Sequence, residues 1–226
     1  MLLSSILVSA QFDSILIDTT ASHLCNDNLY KSYKKKFEII NKNISALNSN
    51  QRSIVKEIYN ETQNDFLESI TNNTFFCDTI VNPYTIGLFN EVLIKNNLNP
   101  ADYKLILSRN PEINASNRGD GTVVINFGLF LGIENEDELA FVMSHEIAHQ
   151  YLNHVKKGIE NFAKVSTSDE IIKKTKEIKS RKYGKATTAI DLLKSLRYEN
   201  YNKRRLKEIE ADSLGLKLYQ KTLRNP

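Results

Sequence analysis

The sequence predicts an α+β fold: a mostly helical domain with a small β-sheet beside the helix that carries His145 and His149. Three observations carry that expectation. Apolar residues recur at helical spacing over much of the chain, as in Ile40, Ile44 and Leu47, then Ile54 and Ile58. Two short runs, Tyr103-Lys104-Leu105-Ile106-Leu107-Ser108 and Thr122-Val123-Val124-Ile125-Asn126, break that period and read as strands. Beyond Gly132, Asn135 and Glu138 stand where a cap and its partner open a helix.

Taken in order, residues 1–10 are short, apolar and end in Val8-Ser9-Ala10, which resembles a signal-peptide remnant without its basic start. Residues 11 to about 30 show no clean period. From Lys31 to about Ile70 the pattern predicts one or two amphipathic helices, broken near Asn48-Ser49-Asn50. Residues 11–80 thus form a helical N-terminal extension. A further helix is expected from about Tyr84 to Asn97, stopped by Asn99-Pro100. Between the two strands, Asn110-Pro111 and Gly119-Asp120-Gly121 predict a turn or an irregular edge segment. The capped helix is expected to run through His145 to about Lys157. Ser166-Thr167-Ser168 then opens another, ending by Gly184, and a last helix covers about Thr188 to Leu223. Residues 81–226 make up the main domain.

Composition narrows the function classes. Among 226 residues, 30 are Lys or Arg and 27 Asp or Glu, a formal net charge of +3. That balance excludes a dedicated nucleic-acid binder. No run of 18 apolar residues exists, so no transmembrane helix is expected. Lys173, Lys174, Lys176, Lys179, Arg181, Lys182 and Lys185 read as a solvated helix face, with contact to an anionic membrane surface as the lesser alternative. Cys25 and Cys77 are the only cysteines and leave a bridge and a free pair both open. The apolar N-terminus favours an exported chain, periplasmic or secreted, with the cytoplasm as the remaining alternative.

The sharp feature is His145-Glu146-Ile147-Ala148-His149. Residues four apart lie one turn apart on the same helix face, so both imidazoles can reach one metal ion. Neutral imidazole suits Zn²⁺, and Glu146 is placed to take a proton from a metal-activated water. For the third ligand, a metzincin would have Gly at 152 and His at 155, where this chain has Leu152 and Val155. His154, five residues past His149, would point about 140° away on a continuous helix and reads as a solvent-facing residue or one behind the ligands. Glu208 and Asp212 offer carboxylates from another helix, again four apart. One can bind the metal while the other accepts a hydrogen bond from a ligating imidazole. Alone, that pair would be a charged helix face; together with the histidine motif it becomes a ligand source.

These two motifs together resemble the HtpX/BepA-type zinc metallopeptidases, gluzincins of peptidase family M48 and relatives of the CAAX prenyl endopeptidases. The resemblance extends upstream over Asn114-Ala115, Gly121-Thr122-Val123-Val124-Ile125-Asn126 and Glu138-Leu139-Ala140-Phe141-Val142-Met143-Ser144, and covers about residues 80 to 222. It implies a zincin-like domain holding one Zn²⁺ through His145, His149 and Glu208, with Glu146 as catalytic base. It also implies that Asp212 supports a ligand histidine and that Arg205 holds a carboxylate. Glu210 is the rival ligand. The strand near Val123, with Asn114, Ala115, Thr122 and Val124, would be the edge that pairs with an extended peptide.

The implied activity is zinc-dependent endopeptidase action on protein or peptide substrates, including misfolded ones, in envelope protein quality control. The alternative is a zinc-stabilised, chaperone-like binding module with little or no catalysis. That alternative is motivated by a departure from the family pattern. Members commonly stabilise the oxyanion with a His beyond the Glu/Asp motif, and no His follows His154 here. Tyr198, Tyr201 and Arg205 are the substitutes at hand, unless the residue lies beyond the sequence in hand.

Overall fold

The computed structural model describes residues 19–44, 48–76 and 81–222. The suspected signal remnant and Cys77 lie outside the described residues. Among the described residues, seven α-helices and a three-stranded sheet follow in the order α1 (Thr19–Lys42), α2 (Ser49–Thr71), α3 (Val81–Lys95), β1 (Lys104–Ser108), β2 (Ala115–Asn117), β3 (Thr122–Asn126), α4 (Glu136–Tyr151), α5 (His154–Ser166), α6 (Asp169–Ser180) and α7 (Lys185–Gln220). The architecture is mostly helical with a small sheet, as the periodicity predicts. The helix α1 is already formed at Thr19, the first described residue, ahead of the first clean period at Lys31.

The sheet order is β1-β3-β2, with β1 parallel and β2 antiparallel to β3. Central strand β3 is buried along its whole length. Its alternating side chains serve two cores, which is why it reads as a continuous apolar run rather than a half-polar one. Val123 and Ile125, with Leu105 and Leu107 of β1, join a core with Phe89, Val92, Met143, Ile147 and Ala211. Ile106 and Val124 face the other way, into Tyr33 and Phe37 of α1 and Phe66 and Ile70 of α2. The two N-terminal helices therefore cover one sheet face.

A polar clasp fixes them there. The Tyr33 hydroxyl lies 2.8 Å from Thr122 Oγ1, Lys36 pairs with Asp120, and Arg118 donates to the Thr62 carbonyl while lying over the Phe66 ring. The turn that presents Asp120 requires Gly121, at φ +85°, where a Cβ would stand 2.2 Å from the Asp102 carbonyl oxygen.

Helix α4 starts as predicted. Asn135 Oδ1 accepts from Glu138 N–H at 2.9 Å, and Glu138 Oε2 accepts from Glu134 N–H at 2.8 Å. It ends early, however. Asn153 takes the left-handed conformation, φ 57°, and a new helix begins at His154. Asn is among the few residues that enter this region at low cost. The expected single helix to Lys157 is thus two.

The long helix α7 packs against α4 through Ala211, Gly215 and Leu218, spaced one turn apart. A Cβ at Gly215 would lie 2.9 Å from the Cα of His145, so glycine is what lets the two backbones touch at the histidine motif. Near the C-terminal end, buried Asn96 donates to the carbonyls of Val92 and Leu218, tying α7 to α3.

Candidate metal centre

Gly215 sets the distance between α4 and α7, and the residues one and two turns before it face the histidines. His145 Nε2 and His149 Nε2 are 3.0 Å apart. Glu208 Oε2 lies 3.5 Å from the first and 3.3 Å from the second. Donors about 2.0–2.1 Å from one tetrahedral ion stand roughly 3.3 Å from each other. The triangle in the structure matches that spacing on all three sides, and its chemistry, two imidazoles and a carboxylate, suits zinc. Among the described residues this is the one such group.

The nitrogens turned away from the triangle are also partnered. Asp212 Oδ1 is 2.9 Å from His145 Nδ1, so the carboxylate accepts from Nδ1–H and leaves Nε2 with its lone pair. His149 Nδ1 meets His154 Nδ1 at 3.0 Å, and His154 Nε2 meets Glu210 Oε2 at 3.0 Å. Burial lowers the pKa of His149, and so does the neighbouring His145; burial likewise lowers that of His154. Both shifts favour the neutral ring, the form in which His149 can ligate.

Glu146 is buried beside the triangle. Burial pushes its pKa up to about 7, opposed by His145 and by a hydrogen bond from the Asn117 N–H, and reinforced by Glu208. Asn117 belongs to β2, so the edge of the sheet reaches the proposed base. The ladder bonds from Asn126 N–H to the Asn114 carbonyl and from Arg118 N–H to the Thr122 carbonyl turn the backbone of Asn114 and Arg118 toward β3. The backbone groups of Ala115 and Asn117 consequently face outward.

This corrects one expectation. Val123 is not on the edge: β3 is hydrogen-bonded on both sides, and Thr122, Val123 and Val124 are buried within the sheet. The outer strand beside Glu146 is β2, which lies in the stretch expected to be a turn or irregular edge, and of the proposed strand residues only Ala115 belongs to it, with Asn114 just before it. Arg205 is exposed and forms no ion pair with a carboxylate of the site among the described residues. Glu210, the rival ligand, faces His154 instead of the triangle. Tyr201 is exposed, and the side chain of Tyr198 lies outside the described residues.

For His154 the sequence left two places open, facing solvent or behind the paired histidines, and the structure shows the second. The argument from a continuous helix sends it away from His149, whereas the turn at Asn153 brings its ring back, buried, against His149 Nδ1. Asn153 was the available signal, as a residue that tolerates the left-handed turn.

Beside the triangle, a cleft of about 750 Å³ opens between α5 and α7, lined by His149, His154, Phe162, Lys203, Lys207 and Glu208 among others.

The sequence profile of peptidase family M48 matches residues 81–226. The chain belongs to that family. Its match therefore covers α3, the sheet, the histidine motif and α7, the elements that build the metal centre. Similar stretches occur in the beta-barrel assembly-enhancing proteases of Yersinia pestis, 32% identical over 83 residues, and Escherichia coli K12, 32% over 84 residues. Each covers 37% of this chain and 17% of the relative. A Vibrio cholerae protein provisionally given the same name is 33% identical over 95 residues, 42% of this chain and 20% of that protein. The matches thus span a fifth or less of these relatives. Family membership groups the chain with metallopeptidases. Among the described residues, no helix is long and apolar enough to cross a membrane.

Proposed function

We propose that the chain is a zinc-dependent endopeptidase in which His145, His149 and Glu208 hold one zinc ion and Glu146 is the general base. The observation that carries this reading is the donor triangle, with sides of 3.0, 3.5 and 3.3 Å, the spacing one tetrahedral ion asks for. Zinc held there supplies Lewis acidity, making a water acidic near neutral pH and polarising a carbonyl. Glu146, buried and raised toward neutrality, accepts the proton from the attacking water and delivers it to the leaving amine. The outward amide and carbonyl of Ala115 offer an extended substrate backbone a place to add as a strand along β2. No covalent acyl-enzyme forms.

Because the relatives are named beta-barrel assembly-enhancing proteases, the reading extends to an exported chain acting on envelope proteins, misfolded ones included. Incubation with denatured casein tests the activity. Wild type should cleave it, chelator should stop cleavage, and Glu146→Gln should keep its zinc yet cleave nothing. Binding of casein without cleavage by the zinc-loaded wild type would instead favour the chaperone-like alternative.

A further inference from the structure

We infer that His154 and Glu210 are positioning residues that fix the tautomer of His149, so that its Nε2 is left free for the metal. The inference rests on the metal reading above and concerns atoms that the reading itself does not use.

Of the two Nδ1 atoms that face each other at 3.0 Å, one must carry the hydrogen and the other the lone pair. An ionised Glu210 carboxylate can only accept, so the His154 Nε2 at 3.0 Å from it carries the hydrogen. A neutral His154 then has a bare Nδ1, which accepts. His149 must therefore donate from Nδ1–H, and its own lone pair falls on Nε2. That is the atom in the donor triangle, 3.3 Å from Glu208.

His145 reaches the same state by a shorter route, through Asp212 directly. The two ligand imidazoles are thus each oriented by a carboxylate of α7, one in contact and one through an intervening ring. His154 is 4% exposed, so water has little access to substitute for it. Its placement is itself supported: the turn at Asn153 returns the chain, and Lys207 of α7 donates to the His154 carbonyl at 2.7 Å.

The test compares His154→Leu, His154→Asn and Glu210→Ala with wild type by two readouts. One is zinc affinity by chelator competition. The other is the protonation pattern of the ring nitrogens by long-range ¹H–¹⁵N NMR on metal-free protein. Wild-type His149 should show hydrogen on Nδ1 alone. His154→Leu should bind zinc about 10- to 100-fold more weakly, the usual loss when a group behind a metal ligand is removed. His154→Asn should recover most of this, because its amide oxygen can accept where Nδ1 did. Glu210 is exposed, so Glu210→Ala leaves the fold intact; it should weaken zinc in the same direction and release the tautomer preference of both rings. Unchanged zinc affinity in both His154→Leu and Glu210→Ala, or an unchanged His149 pattern in Glu210→Ala, would overturn the relay. Failure of wild type to bind zinc would overturn the metal reading instead, and the metal-free nitrogen pattern would still decide the relay.

Discussion

Replacing Gly215 by alanine should damage the metal centre more than the fold. Its added Cβ would stand 2.9 Å from His145 Cα, 3.0 Å from His145 N and 3.3 Å from the Ser144 carbonyl carbon. These are backbone atoms that cannot rotate aside. Ordinary contact begins near 3.4 Å, so α7 and α4 must part by roughly 0.5 Å or more. Overpacking of this kind costs about 1–3 kcal/mol, while alanine in a helix recovers about 1 kcal/mol over glycine. The net loss of stability is then about 0–2 kcal/mol. The site is less forgiving. Asp212, less than a turn away, sits 2.9 Å from His145 Nδ1, and the same displacement carries it out of good hydrogen-bond range. Zinc affinity should fall about 10- to 100-fold. Chelator competition and urea unfolding measure the two effects separately. Gly87→Ala in α3, where a Cβ meets nothing within 4 Å, is the control and should gain up to about 1 kcal/mol. If Gly215→Ala proved as stabilising as the control and bound zinc like wild type, the claim that glycine sets the α4–α7 distance would be wrong.

Other perturbations test the remaining parts. In metal-free protein, burial raises the Glu146 pKa from 4.5 to about 7. The native state therefore binds this proton more tightly than the unfolded one. The stabilisation it provides is full below about pH 4.5 and is lost as pH rises through about 7, by about 3 kcal/mol in all. Urea titrations at pH 5 and pH 8 should show that loss in wild type and not in Glu146→Gln; equal slopes in the two proteins would refute it. Gly121→Ala combines a positive φ with a Cβ 2.2 Å from the Asp102 carbonyl oxygen. It should lower stability by more than about 2 kcal/mol in thermal or urea unfolding, and a near-neutral result would remove the role given to this turn. Tyr33→Phe loses the buried bond to Thr122 and should cost about 1 kcal/mol without touching zinc content.

Much of this architecture could be read from residue pattern, because the signals were local. The α4 cap needed only Asn135 and Glu138, and strands β1 and β3 stood out because both of their faces are buried. The pairing of His145 with His149 was readable for the same reason, since four residues make one turn. Where neighbours across the fold decide, the pattern was mute. The part of α1 before Lys31 has no clean period. The three-residue β2 is held by its pairing to β3 and by a backbone bond to Glu146, neither of which leaves a mark on its own sequence. Placing Val123 on the edge failed because strand order is a property of the sheet, and a strand covered on both faces looks alike at its edge or its centre. For His154 one dihedral angle chose between solvent and a place behind the paired histidines: a single left-handed Asn brings its ring against His149. The choice between Glu208 and Glu210 likewise depends on which face of α7 meets α4, and Gly215 and Ala211 decide that only when both helices are in view.

The central claim is that two stretches of chain, far apart in sequence, share one metal ion. Elemental mass spectrometry on purified wild type, Glu208→Ala and Glu210→Ala tests it most directly. The account predicts one zinc per wild-type chain, its loss in Glu208→Ala, and its retention at weakened affinity in Glu210→Ala. Full zinc in Glu208→Ala, or none in wild type purified without chelator, would contradict it.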